Sequence, residues 1–445
     1  MQKKYHLIAI GGSVMHNLAL DLHHLGHHVT GSDDEIYEPS KSRLAQKGLL
    51  PDAFGWDPRR ITNDIDAVIL GKHARIDNPE LIRAQELGLE IYSFPEFIAR
   101  HSMATTTVCI AGSHGKTSTT AMIMHVLKRQ GIDFDYLVGA QLEGFEKMVR
   151  MSGAPILVTE GDEYPSSALD SRAKMIHYKA DIAVITGLAW DHVNIYKTYD
   201  SYKNAFRAFL DSMPKESICF FDCSDSELNA MMINEGFPPE RESYKAFKLN
   251  KKGHVEFDAE LYPMKIFGRH NMLNLSAAYN VCQRLGIDKK MFFDSMASFK
   301  GAAKRLELIC DAPLVYRDFA HAPSKCKATV EAVKSRYPGK NLKAVFELHT
   351  FSSLDKSFLK QYAGTMNQAD TAYVYYDKHA LAMKKIPDLD RDEVYSAFSK
   401  EDLTVTTESK ELEKIIRDSK TDGTEVLLVM SSGVIGGLNL SELFD

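Results

Sequence analysis

The sequence predicts an α/β chain built from open, mostly parallel sheets, and three observations carry that prediction. Short apolar runs recur along all 445 residues, each passing into a polar or glycine-bearing loop and then into a helical pattern, the order that makes βαβ units. Polar residues collect at the carboxyl ends of these runs, the edge where open parallel sheets bind ligands. In "TVCIAGSHGKTSTTAMIMHVLKRQG", Thr107 to Gly131, an apolar strand enters a helix through a glycine turn of phosphate-binding type.

Taken in order, "YHLIAIGG" is the first strand, and "SVMHNLALDLHHLGHHVTGSD" supplies a helix and a second strand closing on Ser32 and Asp33. "DAVILGKHA" and "LEIYSFPEF" read as further strands. A second region begins near Thr105 and holds "TTTVCIAG", "PILVTEGDE" and "DIAVITGLAWDH". A third begins near Asp311, with "LVYRDFAHAP", "LKAVFELHT", "DTAYVYY" and "EVLLVMSSG". The length suits about three domains, and the expected boundaries are 1–104, 105–310 and 311–445. No internal repeat or low-complexity segment interrupts them.

Composition narrows the function classes. A hydrophobic fraction of 44% with 26% charged residues is that of a soluble globular protein. The net charge of -6 gives no general affinity for nucleic acid or an anionic membrane. "MQKKYHLIAIGG" suits a buried strand better than a signal peptide, and no apolar run is long enough to span a bilayer. Six cysteines, at 109, 219, 223, 282, 310 and 326, form no C-x-x-C pair and read as packing residues in a reduced cytoplasm. His23, His24, His27 and His28 crowd together, but Gly26 should end the helix between the pairs and scatter them. No acidic or cysteine partner stands at a zinc spacing, so surface histidines are expected.

The phosphate turn has its own mechanics. In "AGSHGKTST", Gly112 and Gly115 let the backbone curl around phosphate oxygens, with Ser113, His114 and Ser118 in the cradle and the helix N-terminus behind it. Lys116 would lie along the terminal phosphates and Thr117 would bind magnesium. The usual first glycine is replaced by Ile110, so the loop is a shorter G-x-x-G-K-T variant. Such a loop serves switches, motors, kinases and ligases alike. The turn in "IAIGGSVMHNLA" is a weak dinucleotide fingerprint, since Val14 fills a place where glycine is usual. On residues alone, that domain binds a nicotinamide or nothing.

Further motifs follow the loop in a fixed order: "EGDEY", "WDHVNIY", "GRHNMLNLSAA", "FKGAAKRLE" and "RDFAHAP". With the loop they make the chain resemble the Mur ligases, ATP-dependent enzymes that build the peptide of bacterial peptidoglycan. The resemblance implies a Rossmann-like UDP-sugar domain, a central P-loop ATPase domain and a C-terminal Rossmann-like domain for the amine substrate. It implies Glu160 and His192 as magnesium ligands with Thr117, and Asn271, Arg305, Asp318 and His321 as ATP contacts. It also implies Gly12, Ser13, Met15, Asp33 and His73 as contacts to the UDP portion of UDP-N-acetylmuramate. Lys116, His192 and Arg305 would carry the chemistry, with ATP and Mg2+ as cofactors and the cytoplasm as the location.

The chemistry agrees with this. A carboxylate phosphorylated by ATP becomes an acyl phosphate open to amine attack, and Lys116, Arg305 and magnesium would neutralise the two reacting anions. The departures are also specific. Gly187 and Ala189 replace polar residues of the family before His192, Ala322 replaces a second histidine after His321, and "YDSYKNAFRAF" offers no clear match to the carbamylated lysine of several relatives. Within the family, "EGDEYPSSALDSRAKMIHY" and "LLVMSSGVIGGL" resemble members that attach the murein tripeptide L-alanyl-γ-D-glutamyl-meso-diaminopimelate. The alternative members add free L-alanine. They carry an H-R-Y-T-R element, whereas this chain reads His349, Thr350, Phe351, Ser352, Ser353. A nucleotide and UDP-sugar sensor without ligation is the reading from a different class.

Overall fold

The computed structural model describes residues 2–102, 105–190, 195–384, 386–420, 422–433 and 435–444. It divides into two compact units, one of residues 1–188, 200–245 and 277–292, the other of residues 189–199, 246–276 and 293–445.

The first unit holds two sheets. β1 (Lys4–Ile8), β2 (His28–Ser32), β3 (Ala67–Leu70) and β4 (Glu90–Ser93) form a parallel sheet in the order β2-β1-β3-β4. Ile8, Val68, Leu70, Leu81 and Ala84 pack on one side of it. The second sheet has the order β11-β10-β9-β5-β8-β6-β7, built from β5 (Thr106–Ala111), β6 (Asp135–Leu137), β7 (Val149–Arg150), β8 (Ile156–Gly161), β9 (Ile182–Ile185), β10 (Ile218–Asp222) and β11 (Glu240–Tyr244). Only the β6–β7 pair is antiparallel among its described pairings. Every residue of β9, β10 and β8 is buried, as expected of central strands covered on both faces.

The second unit begins with a small antiparallel sheet of β12 (Lys248–Leu249), β13 (His254–Phe257) and β14 (Glu260–Pro263). Its main sheet runs β15-β16-β20-β17-β18-β19, from β15 (Glu307–Asp311), β16 (Leu314–Asp318), β17 (Asn341–Leu348), β18 (Thr371–Tyr376), β19 (Leu403–Thr406) and β20 (Glu425–Met430). β15 is its antiparallel edge strand. Alternation explains the unbroken apolar runs. Ala344, Phe346, Val374, Leu428 and Met430 face one core, while Val345, Tyr375, Leu427 and Val429 face the other, with Leu412 and Ile416.

Two expectations from the sequence need correction. "LEIYSFPEF" is a strand only through Ser93, whose Oγ accepts the Glu96 N–H at 3.4 Å and opens the helix Phe94–His101. Pro95 sits in the first turn, where its missing donor costs nothing, and Phe94, Phe97 and Ile98 are buried at helical spacing. Cys223 and Cys310 are only half-buried, although the other four cysteines are buried as expected and all six are free thiols. The first helix ends where Gly26 required: it spans Ser13–His24, and Gly26 adopts a φ of 86°. His23, His24 and His28 are exposed, and His27 Nδ1 accepts the Lys3 N–H at 3.2 Å.

Candidate active site

The phosphate loop joins β5 to the helix Lys116–Arg129 at the carboxyl edge of the second sheet. Glycine is required at 112 by both backbone and space: φ is 117°, and a Cβ would come within 2.4 Å of Thr186 Oγ1. Gly115, with φ 82°, is the left-handed residue from which the helix starts. The Ser113 N–H donates to the Gly187 carbonyl at 3.0 Å, and Thr186 Oγ1 donates to the carbonyls of Ala111, at 3.1 Å, and His114. The end of β9 thus clamps the loop from below. Ser118 is buried in the first helical turn.

Lys116 is turned toward carboxylates. Its Nζ donates to the Gly112 carbonyl at 2.7 Å and to Glu163 Oε2 at 3.1 Å. Burial alone would lower the ammonium's pKa, but the charges of Glu163, Asp162 and Glu160 outweigh it and raise it. Glu160, next to last in β8, accepts the Thr117 hydroxyl at 3.0 Å on Oε2 and the Gly139 N–H at 3.1 Å on Oε1. Burial, then the neighbouring Asp162 charge, raises the Glu160 pKa. The hydroxyl and carboxylate expected to share a magnesium ion therefore already meet. His192, their expected third partner, lies outside the described residues, as does Asp191. Among the described residues no group of three or more His, Cys, Asp or Glu side chains could hold a metal.

At the first sheet's carboxyl edge, Gly12 precedes the helix that starts at Ser13, with no side-chain cap. Asp33 Oδ2 accepts the Gly11 N–H at 2.8 Å, so this carboxylate braces the glycine turn. Burial, opposed by that bond and aided by Asp34, pushes its pKa up to about 6. Met15 is buried in the helix, while His73 is exposed on the loop after β3.

The remaining expected ATP contacts belong to the second unit. Asn271 Nδ2 donates to the Phe267 carbonyl at 2.9 Å. The Arg305 guanidinium lies 4.5 Å from the Phe319 ring centroid. Asp318, at the end of β16, accepts the N–H groups of Leu306 at 2.6 Å and Ala320 at 2.7 Å, and so ties the Arg305 segment to its own strand. His321 Nδ1 is 2.9 Å from the Phe319 carbonyl, which the neutral ring reaches as an N–H donor. Arg305, Asp318 and His321 are thus one local assembly around Phe319.

Reading the sequence missed several participants. Glu163 stood in plain view in "EGDEY", three residues after Glu160, but its ion pair with Lys116 depends on how the loop after β8 folds back. Thr186 and Lys72 carried no motif, and Lys174 stood inside "EGDEYPSSALDSRAKMIHY" without an assigned role. Lys384 is remote in sequence from the loop after β17, yet its Nζ donates to the His349 carbonyl and lies 5.5 Å from the Phe351 ring centroid.

Two family models match the chain, "Mur ligase family, catalytic domain" over residues 4–105 and "Mur ligase middle domain" over residues 110–282. The UDP-N-acetylmuramate–L-alanine ligase of Leuconostoc mesenteroides is 30% identical over 390 residues, covering 84% of both chains. The chain belongs to the Mur ligase family. As a Mur ligase it is an ATP-dependent amide ligase of the family that builds peptidoglycan. The murein peptide ligase of Psychrobacter arcticus superposes with a TM-score of 0.67 at 22% identity, covering 100% of this chain and 99% of its own. The UDP-N-acetylmuramate–alanine ligase of Thermotoga maritima superposes with a TM-score of 0.69 at 23% identity, covering 97% and 96%. At these identities the likeness is one of fold: the N-terminal, middle and C-terminal Mur ligase domains. No helix of the described residues is long and apolar enough to cross a membrane.

Proposed function

We propose that this Mur ligase joins the lactyl carboxylate of UDP-N-acetylmuramate to the N-terminal amine of L-alanyl-γ-D-glutamyl-meso-diaminopimelate through an acyl phosphate, as a step of peptidoglycan recycling. Its domains would be 1–104 for the UDP-sugar, 105–310 for ATP and 311–445 for the amine. The observation that carries the choice of amine is the loop after β17. It has Thr350 to Ser353 where alanine-adding relatives have arginines, and the lysines near it are engaged: Lys356 with Glu393 at 2.7 Å, Lys384 with the His349 carbonyl. A free amino acid needs a cation close to its reacting amine, whereas a tripeptide carries its carboxylates farther out and positions its alanine through remote contacts.

In this reading Lys116 exchanges Glu163 for the terminal phosphate as ATP binds, and Arg305 stabilises the charge that develops in transfer. Gly12, Ser13 and the Asp33-braced turn would hold the UDP, and Asn271, Asp318 and His321 are the expected ATP contacts of the second unit. Thr117 and Glu160 fit a magnesium ion by donor chemistry, two hard oxygens in contact beside the loop, with His192 as the expected third ligand. When bound, the ion would neutralise phosphate charge.

The test is a phosphate-release assay comparing the two amines. The tripeptide should exceed L-alanine in kcat/KM by at least about tenfold, roughly 1.4 kcal/mol of transition-state binding. Equal or better use of L-alanine would restore the alanine-adding reading, which the identity to the Leuconostoc enzyme favours. ATP turnover without either amine incorporated would point to a sensor.

A further inference from the structure

A carboxylate-activating ligase has to hold its anionic acceptor against the phosphate loop, and Lys116 is committed to ATP. Two further lysines converge beside the loop in the first unit. Lys174 opens the 3-10 turn Lys174–Tyr178, in the "SRAKMIHY" run, and places Nζ 3.3 Å from Asp162 Oδ2 and 4.9 Å from the Phe94 ring centroid. Lys72, just beyond β3, places Nζ 3.7 Å from the Tyr164 ring centroid. It has no hydrogen bond or ion pair to any described residue.

Lys72 is exposed, and partial desolvation by its neighbours, then the charge of Lys174, hold its pKa below that of an ordinary lysine, with Asp162 opposing. Asp162 bonds Lys174 and reaches Lys72 only through its field, so the Lys72 ammonium, held beside the Tyr164 ring, keeps a place for an anion.

Their surroundings define which anion. Lys72 follows Gly71, whose N–H donates to the Ile8 carbonyl at 2.9 Å, so it stands just past the end of β3, the neighbour of β1, which runs on to the Gly11–Ser13 turn. Asp162 lies between Glu160 and Glu163, and its charge acts on Lys116. The lysine pair is therefore flanked by the turn expected to hold the diphosphate and by the loop expected to hold ATP. The acceptor carboxylate belongs between those two.

We propose that Lys72 and Lys174 form the subsite for the lactyl carboxylate of the sugar nucleotide, holding it for attack on the terminal phosphorus as the bond to ADP breaks. This rests on UDP-N-acetylmuramate being the substrate.

Calorimetry separates the two claims. The full chain, Lys72→Met, Lys174→Met and Lys174→Arg are titrated with UDP-N-acetylmuramate and with UDP-N-acetylglucosamine, which lacks the lactyl carboxylate. Lys72→Met should weaken UDP-N-acetylmuramate by at least about tenfold, the loss of one charge-assisted contact, and leave UDP-N-acetylglucosamine within about twofold. Lys174→Met should do the same, Lys174→Arg should recover most of the affinity, and the KM for ATP should not move. Because the Lys72 ammonium bonds to nothing described, its variant needs no rescue of the fold. Equal weakening of both nucleotides would place the lysines on the diphosphate and overturn the assignment, as would unchanged UDP-N-acetylmuramate binding in Lys72→Met. An unmodified protein that binds UDP-N-acetylglucosamine as tightly as UDP-N-acetylmuramate would remove the substrate reading itself.

Discussion

Lys116 and Glu163 make a pair whose stability and catalytic contributions can be pulled apart. The contact is 3.1 Å, with side-chain exposures of 15% and 1%. At that separation an effective dielectric of about 20 gives about 5 kcal/mol of attraction, much of it offset by desolvation. Lys116→Met should therefore destabilise the first unit by about 2–4 kcal/mol, because it leaves the Glu163 carboxylate buried without its cation. Glu163→Gln should cost less, about 1–2 kcal/mol, since Lys116 keeps the Gly112 carbonyl and the fields of Glu160 and Asp162. In the double variant the orphaned charge is gone, so stability should return to within about 1 kcal/mol of the unmodified chain. Ligation should not return: losing the lysine's action on developing charge is expected to cost about 10²–10³ in kcat whatever stands at 163. Urea unfolding of the four proteins at neutral pH, read at the first transition, gives the cycle, and phosphate release gives the activity. If Glu163→Gln made no difference to stability in the Lys116→Met background, the pair would not be the energetic unit described.

Other expectations follow from the same residues. Glu160→Gln and His192→Ala should each raise the magnesium concentration for half-maximal ligation by about tenfold or more; near-normal rates at limiting magnesium would remove the metal assignment. Asp33 has a folded pKa of about 6 against an ordinary 3.8, so the folded state holds its proton more tightly. Its contribution to stability is full below about pH 4 and is lost as pH rises through about 6. Asp33→Asn, which keeps an acceptor for Gly11, should be the more stable protein above about pH 6, by up to about 3 kcal/mol, and the gap should close toward pH 4. Thermal unfolding across that range would refute this if the two curves ran parallel.

The architecture was legible because buried parallel strands write continuous apolar runs, and those runs survive without any alignment. "LEIYSFPEF" misled for a related reason. An aromatic-rich stretch suits strand and helix equally until Ser93 and Pro95 are weighed as a cap and a first-turn residue. Glycines were legible too, since Gly26 and Gly112 occupy positions that side chains would strain. Partnerships were not. Glu163 reaches Lys116, and Lys384 reaches His349, across 47 and 35 residues. No local pattern encodes a contact made by two loops that meet only after the sheet has assembled.

The short phosphate loop shows how such contacts change the meaning of a motif. Where longer loops place a first glycine, this chain has Ile110, and the structure puts that residue inside β5, fully buried and paired with Glu160 and Val184. A glycine there would interrupt a central strand, so the turn can begin only at Gly112. With fewer residues to wrap the phosphates, the loop's shape must be imposed from outside. Thr186 and Gly187 at the end of β9 do this through the bonds to the Ala111 and His114 carbonyls and the Ser113 N–H. Gly187 is itself held: Asp225 accepts the Leu188 N–H at 2.7 Å, and a Cβ on Gly187 would meet that carboxylate at 3.2 Å. Gly187, which departs from the polar residue of many relatives, stands at one end of that brace, and its φ of 146° and its closeness to Asp225 suit glycine there.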